Sequence, residues 1–353
     1  MELTPQIITI GGGLLIGLVI GLVGRSSRFC TFCAVRDVIR YGDSMQARRW
    51  ALTIAVALIG VQIQQITQSI DLNETIYLSD NFGWVGAIIG GLIFGVGMAL
   101  VGSCAFNLVI RSGAGDMKAI VAMLVMALSA YMAARGITGL ARVVLIEPLA
   151  IDLSDMGGQG LPGFVGNLTG YDGEFLRPAI TALVAAALLL WVFSNRQIRF
   201  SWRFLAPAII IGAMAIAGFA ITGNLGIDEF EPQVVQSVTY VMPTGNSVLY
   251  LLTFTGSTID FGIALIGGTL MGAFVASAFG RDFSVRTFKD TRDTFRNLIG
   301  AFFMGLGGVI ALGCTIGQGI TGVATLSMSS FLATLAIITG ATLTVIFSPE
   351  EDI

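Results

Sequence analysis

Nine stretches of roughly twenty apolar residues recur along this chain, at 7–24, 50–69, 84–101, 117–134, 178–195, 204–223, 260–279, 296–312 and 328–347. A helix needs about 20 residues to cross a hydrocarbon layer of about 30 Å, and in that layer every backbone polar group has to find its partner within the protein. Each stretch is apolar around its whole circumference, as a buried or lipid-facing helix must be. Charged residues make up 12% of the chain, about half the share of a soluble domain, while the 55% hydrophobic share excludes intrinsic disorder. The expected fold is an all-α polytopic membrane protein of about nine transmembrane helices, forming one domain. The first stretch is glycine-rich, follows Glu2 rather than basic residues, and leads into no small-residue cleavage site, so it is expected to be retained rather than removed as a signal peptide.

Basic residues alternate between the connections. Arg25, Arg28, Arg36, Arg40, Arg48 and Arg49 follow the first stretch; Arg111 and Lys118 follow the third; Arg196, Arg199 and Arg203 the fifth; Arg281, Arg286, Lys289, Arg292 and Arg296 the seventh. The other side holds Arg135, Arg142 and Arg177 with the acidic segments 71–80 and 224–232. The positive-inside bias then places the N-terminus outside and the acidic end (Glu350, Glu351, Asp352) in the cytoplasm, in an inner membrane. The two long outer connections, 136–177 and 224–259, read as loops.

Two tracts match at fixed spacing. Gly95-x-Gly97 and Gly305-x-Gly307 are each followed seven positions later by a cysteine, Cys104 and Cys314, and then by a short polar, glycine-containing run before the next apolar stretch. That is the pattern of a discontinuous helix with a short re-entrant piece, which survives in a membrane only where protein or a polar pathway satisfies the freed backbone groups. The topology sends the two tracts in opposite directions, the geometry of an inverted repeat, with pseudo-repeats at about 7–134 and 204–347. A third tract, Gly24 to Cys30 and Cys33, is similar in kind but has no cysteine-bearing match in the second half. The G-x-x-x-G runs Gly13/Gly17/Gly21, Gly91/Gly95 and Gly268/Gly272 read as close helix packing. Gln62, Gln64, Gln65 and Gln68 read equally as a vestibule lining or an interfacial helix end.

The chain has no histidine, no G-x-S-x-G elbow and no G-x-x-x-x-G-K-[ST] loop, so neither nucleophilic hydrolysis nor nucleotide hydrolysis is expected. Catalytic residues, metal ligands and cofactors are not expected, and the net charge of −3 offers nothing to nucleic acid. Half-helix N-termini, glycine backbone and thiols together suit an anion: the N-termini present free N–H groups and partial positive charge. A thiol that stays neutral, a weak S–H donor with a polarisable sulfur, does not repel it. Arg25, Arg28 and Arg36 around Cys30, and Arg111 and Lys118 near Cys104, add attraction. Cys30-x-x-Cys33 leaves open a thiol–disulfide oxidoreductase, and a docking or sensor protein for a sulfurtransferase is a further alternative.

The tracts Ser27-Arg-Phe-Cys30 with Arg36-Asp37, Gly102-Ser103-Cys104 running on to Ile110-Arg111-Ser-Gly-Ala-Gly115-Asp116, and Leu312-Gly313-Cys314-Thr315-Ile-Gly-Gln318-Gly319 resemble the YeeE/YedE family of sulfur-compound transporters, along the whole chain. The resemblance implies an hourglass-like inverted-repeat fold and uptake of thiosulfate, or a closely related small sulfur anion. It implies a pathway in which Cys30, Cys104 and Cys314 pass the anion along by weak S–H···S contacts. In the same tracts Gly102, Ser103, Arg111, Gly313, Thr315 and Gln318 are the candidate supporting contacts. A small cytoplasmic TusA-type sulfurtransferase is the implied partner. The chain departs from the family's pattern at Cys33, where a small non-cysteine residue is expected, and at Ala114, where the pattern has an acidic residue.

Overall fold

The computed structural model describes residues 5–154, 158–195, 198, 201–226, 234–283, 285, 287–288 and 290–348. Fourteen α-helices are present among them: α1 (Pro5–Ser27), α2 (Thr31–Tyr41), α3 (Met45–Ile66), α4 (Trp84–Val101), α5 (Ala105–Gly113), α6 (Met117–Arg135), α7 (Ile137–Leu145), α8 (Leu161–Thr169), α9 (Gly173–Phe193), α10 (Trp202–Ala220), α11 (Val241–Leu252), α12 (Phe261–Gly280), α13 (Thr291–Ile310) and α14 (Met328–Phe347). A two-residue antiparallel pairing, β1 (Asn81–Phe82) with β2 (Ile151–Asp152), ties two connections together at one end of the bundle. The expected sites Arg196, Arg199, Arg286 and Lys289 and the acidic end from Glu350 lie outside the described residues.

Eight segments are long and apolar enough to cross a membrane, which makes the chain a multi-pass membrane protein. They cover eight of the nine stretches read from the sequence. The ninth, 296–312, falls in α13, which begins five residues earlier with Arg292, Asp293 and Arg296 in its first two turns. These charges stand at one end of a helix that is otherwise apolar and packs against α4 and α6.

Glycine sets the closest contacts. A Cβ on Gly17 would collide with the carbonyl of Leu265, and one on Gly268 with the carbonyl of Leu14, so α1 and α12 lie backbone to backbone and run parallel. The G-x-x-x-G runs on both helices are what permit that approach; in lipid, where burial between helices gains little, close van der Waals contact is the main attraction. Likewise α4 runs parallel to α14 through Gly91, Gly95 and Gly340, and antiparallel to α13 through Gly90, Gly97, Gly300 and Gly307. The packing is reciprocal: α1 packs on α12 and α10 on α3, and α4 packs on α14 and α13 on α6.

The long helices do not connect directly. α1 stops at Arg28, whose φ is +52°, and restarts at α2; α4 stops at Gly102, φ +71°, and restarts at α5. After α13 the chain turns through Leu312, φ +58°, into a wide turn of π-helix, Gly317–Gly322, instead of the expected half-helix. A fourth break lies between α10 and α11, inside the segment read from the sequence as the loop 224–259. Here Val241–Leu252 is helical because Pro243 occupies its first turn, where no backbone donor is needed. The loop 136–177 likewise contains α7 and α8; α7 exposes Ile137, Leu140, Val143, Val144 and Leu145.

Candidate functional site

The breaks bring Cys30 and Cys104 to helix starts and Cys314 to the turn that leads into the π-helix. Cys30 is the N-cap of α2, and its Sγ accepts the N–H of Cys33 at 3.5 Å. Cys314 does the same for its own turn, accepting the N–H of Gly317 at 3.4 Å. Cys104 is the N-cap of α5 without such a bond; the backbones of Asn107 and Thr31 lie within electrostatic reach of its thiol. Serine, threonine, aspartate and asparagine are the strong N-caps, and sulfur is a weak acceptor. Cysteine at these positions is therefore not accounted for by capping.

The Cys30 thiol interacts with the thiols of both Cys104 and Cys33, so the N-termini of α2 and α5 abut at a cluster of sulfur. Cys30, Cys104 and Cys314 are buried and Cys33 half-buried; all four are free thiols. Below Cys30 and Cys33, at the arginine-rich end, a cavity of about 560 Å³ is lined by Arg25, Arg28, Arg111, Arg281 and Asn107 among others. Arg111 holds Asp116 through Nε and Nη2 (2.9 and 2.7 Å), so its charge is already balanced. Arg25 instead donates to Ser277 Oγ (2.9 Å) and the Asp282 carbonyl (3.1 Å) and leaves its charge to the cavity. Lys118 is not brought to the cavity: its Nζ donates to both carboxylate oxygens of Asp293 (2.7 and 3.0 Å), fastening α6 to α13. Arg36 pairs with the adjacent Asp37 at 2.9 Å.

The remaining sequence candidates divide. Gly102 supplies the left-handed residue that ends α4. Ser103 is fully buried and accepts from Asn107 Nδ2 at 3.1 Å, bracing the Cys104 turn. In the second tract the left-handed residue is Leu312, and Gly313 closes the turn through its N–H to the Gly308 carbonyl at 2.7 Å. Gln318 donates to the Ala311 carbonyl at 2.6 Å, while its Oε1 and the Thr315 hydroxyl are buried without a hydrogen-bond partner. Buried polar atoms in that state are costly unless something else meets them.

At the opposite end a second cavity, about 680 Å³, reaches Thr325 beyond the Cys314 turn and is rimmed by Asp80, Asp172 and Glu174. Arg177, only 7% exposed, sits at its wall. It is paired with Glu174 (2.6 Å) and donates to Gln62 Oε1 (3.3 Å), and Gln62 donates to the Ala324 carbonyl (2.8 Å). The glutamine run therefore splits. Gln62 is a buried strut for the Cys314 segment, whereas Gln65 and Gln68 line a surface cavity. Arg177→Met is expected to unpair Gln62 and loosen that segment, costing about 1–3 kcal/mol, read as a lower unfolding temperature in detergent.

Three aromatic residues that the sequence reading passed over stand among the breaks. Phe29, Phe106 and Tyr240 are all buried, with ring centroids 6.0 Å apart for Phe29–Phe106 and 5.0 Å for Phe106–Tyr240. Tyr240 is the N-cap residue of α11, and its phenol lies within electrostatic reach of Cys314 and Cys104. Tyr77, also buried, faces the Cys314 turn from the connection before α4; burial, reinforced by Cys314, pushes its phenol well above the ordinary tyrosine range, so it stays a neutral O–H. The signal for Tyr240 was present in its place just before a Pro-containing helix start, but an apparent loop hid it.

A family model described as sulphur transport matches residues 26–343 of the chain. The chain belongs to the sulphur transport family. Among its relatives, a thiosulfate transporter of Spirochaeta thermophila is 31% identical over 337 residues, spanning 93% of this chain and 96% of the relative. A thiosulfate transporter of Escherichia coli is 26% identical over 352 residues, spanning 93% and 91%. Membership makes the protein a transporter of sulfur compounds and not an enzyme, so the thiol–disulfide oxidoreductase reading of Cys30 and Cys33 gives way. A small sulfur anion as the transported species fits the buried thiols and the helix starts described above.

Proposed function

We propose that the protein is an inner-membrane permease that takes up thiosulfate through Cys104 and Cys314, with Cys30 at the inner end, the N-terminus outside and the C-terminus in the cytoplasm. The observation that carries this reading is the meeting of the Cys30 and Cys104 thiols at two abutting helix starts, directly above an arginine-lined cavity. Helix N-termini supply partial positive charge without a full ion pair, so they attract an anion and still release it. Neutral thiols add a weak, polarisable contact suited to the terminal sulfur. Similarity to two thiosulfate transporters supports the choice of anion.

The reciprocal packing of α1–α12 with α10–α3, and of α4–α14 with α13–α6, supports an inverted repeat relating about 7–134 to 204–347. In that arrangement the Cys104 and Cys314 breaks are the equivalent positions of the two halves. Arg25, Arg28 and Arg281 gather the anion at the cytoplasmic cavity, where a small TusA-type sulfurtransferase takes it over. Gly102, Ser103 and Gly313 shape the breaks, Thr315 and Gln318 offer their unpartnered polar atoms, and Arg111 braces the cavity through Asp116.

The test is entry of radiolabelled thiosulfate into liposomes holding the purified protein. Saturable entry, competed by unlabelled thiosulfate, is expected; no entry by well-folded protein overturns the reading. Cys33 lines the inner cavity next to Cys30, but it is its backbone N–H, not its thiol, that the Cys30 turn uses. Cys33→Ser is expected to keep uptake within about twofold of the unsubstituted protein, because serine preserves the α2 first turn and the Cys30 thiol remains. Loss of uptake as complete as in Cys30→Ser would show that the pair acts together.

A further inference from the structure

The two cavities do not meet. The inner one ends at Cys30 and Cys33, the outer one at Thr325, and Cys104 and Cys314 between them are fully buried. Buried aromatic rings stand beside both thiols, and Thr239, next to Tyr240, packs against Gly317 of the Cys314 turn. Phe29 precedes Cys30, Phe106 follows Cys104 by two residues, and the ladder continues through Phe106 onto Tyr240, within reach of Cys314. Each ring of this ladder belongs to a different helix break. Two breaks present a thiol at a helix start (Cys30 and Cys104), the third presents Cys314 two residues before the N-cap of its π-turn, and the fourth presents Tyr240.

Among the described residues the hydroxyl of Tyr240 has one partner, Thr269 Oγ1 of α12, at 3.2 Å. Thr269 spends its own proton on the Leu265 carbonyl one turn back, at 2.8 Å. The proton shared between the two hydroxyls is therefore that of Tyr240, and Thr269 is only the acceptor. Thr269 cannot follow a moving partner, because its backbone lies in the α1–α12 contact against Gly17 and Gly21. The phenol is thus held by a single neutral hydrogen bond to a fixed point, beside two thiols that are poorer donors than it is.

Resting on the permease reading above, we infer that Tyr240 is the gate between Cys104 and Cys314: its ring closes the path, and its hydroxyl leaves Thr269 to donate to the anion's oxygens as the anion passes. The exchange is favourable because a hydrogen bond to a charged acceptor is worth more than one to a neutral hydroxyl. It also separates the two ends of the anion. Thiols take the terminal sulfur and the phenol takes the sulfonate oxygens, so an anion without terminal sulfur gains only half of these contacts.

The experiment compares Tyr240→Phe, Tyr240→Ala and Thr269→Val with the unsubstituted protein in liposomes, using radiolabelled thiosulfate and, separately, sulfate. Tyr240→Phe keeps the ring and is expected to raise the KM of thiosulfate entry about tenfold, the size of one hydrogen bond to a charged group. Thr269→Val removes the partner but leaves the phenol for the anion, and its KM is expected to stay within about twofold of the unsubstituted value. Tyr240→Ala removes the closing ring and is expected to admit sulfate. A Tyr240→Phe protein with unchanged KM, a Thr269→Val protein that reproduces the Tyr240→Phe defect, or a Tyr240→Ala protein that still excludes sulfate overturns the inference. Failure of the unsubstituted protein to carry thiosulfate would instead sink the permease reading itself.

Discussion

Replacing Cys104 by alanine is expected to reduce thiosulfate entry by about 10- to 100-fold, the loss of one contact to a charged species at a buried point. The side chain is fully buried, interacts with the Cys30 thiol, and stands at the start of α5. Alanine removes the thiol together with whatever support the sulfur gives the helix start. Cys104→Ser separates the two. Serine is the better N-cap, so helix α5 should form at least as well, while the polarisable S–H is gone. If sulfur itself is what the anion needs, Cys104→Ser fails in transport while unfolding at the unsubstituted temperature. If the cysteine serves only to start the helix, Cys104→Ser transports normally. Parallel variants at Cys314 make the same distinction at a turn where, unlike Cys104, the sulfur does accept the N–H three residues on. Entry measured in liposomes, beside unfolding temperature in detergent, decides between the two.

The second large effect belongs to the fold. Gly268→Val is expected to prevent α1 and α12 from closing, with a cost of about 3 kcal/mol or more, at the upper end of overpacking. Its Cβ would collide with the Leu14 carbonyl and crowd the Leu18 amide, both backbone groups that cannot move aside. Gly267 is the internal control: a Cβ there meets nothing within 4 Å, so Gly267→Ala should leave the unfolding temperature unchanged or raise it slightly. Yield of monodisperse protein and its thermal unfolding are the measurements. Equal behaviour of the two variants would mean that the α1–α12 contact is not what the G-x-x-x-G runs serve. Because Arg25 reaches from α1 to Ser277 and the Asp282 carbonyl beyond α12, the same variant should also disorder the wall of the inner cavity.

Much of this was legible in the residues. Hydrophobic length marked eight crossing segments and the body of α13, since in lipid the solvent imposes one requirement on every span. Charge put Arg292 and Arg296 in the basic connection after the seventh stretch, and hydropathy alone set the start of α13, which holds both, five residues too late. The glycine spacing of α1 and α12 foretold close packing, and Gly-Cys pairs foretold breaks, because both follow from local chain chemistry. Three cysteine tracts then pointed to sulfur-compound transport, which family membership bears out.

What the sequence determined by itself is therefore what a long apolar segment and its solvent set: that the chain spans a membrane, where its long helices run, and where the Gly-Cys tracts interrupt them. Tertiary structure decided which of those stops meet. No local rule puts the Cys104 thiol against Cys30 rather than Cys314, or balances Arg111 with Asp116 while Arg25 faces the cavity. Nor does any rule turn Gln62 into a strut between Arg177 and Ala324. Tyr240 is the clearest case. In the chain it is one aromatic residue in an apparent loop, whereas in the fold it is a buried ring packed on Phe106, two residues from Cys104, because only the packing of α11 against α6 and α12 carries it there. Segment hydropathy is a sum over neighbours in sequence; a pathway is made of residues distant in sequence, and only the packed helices bring them together.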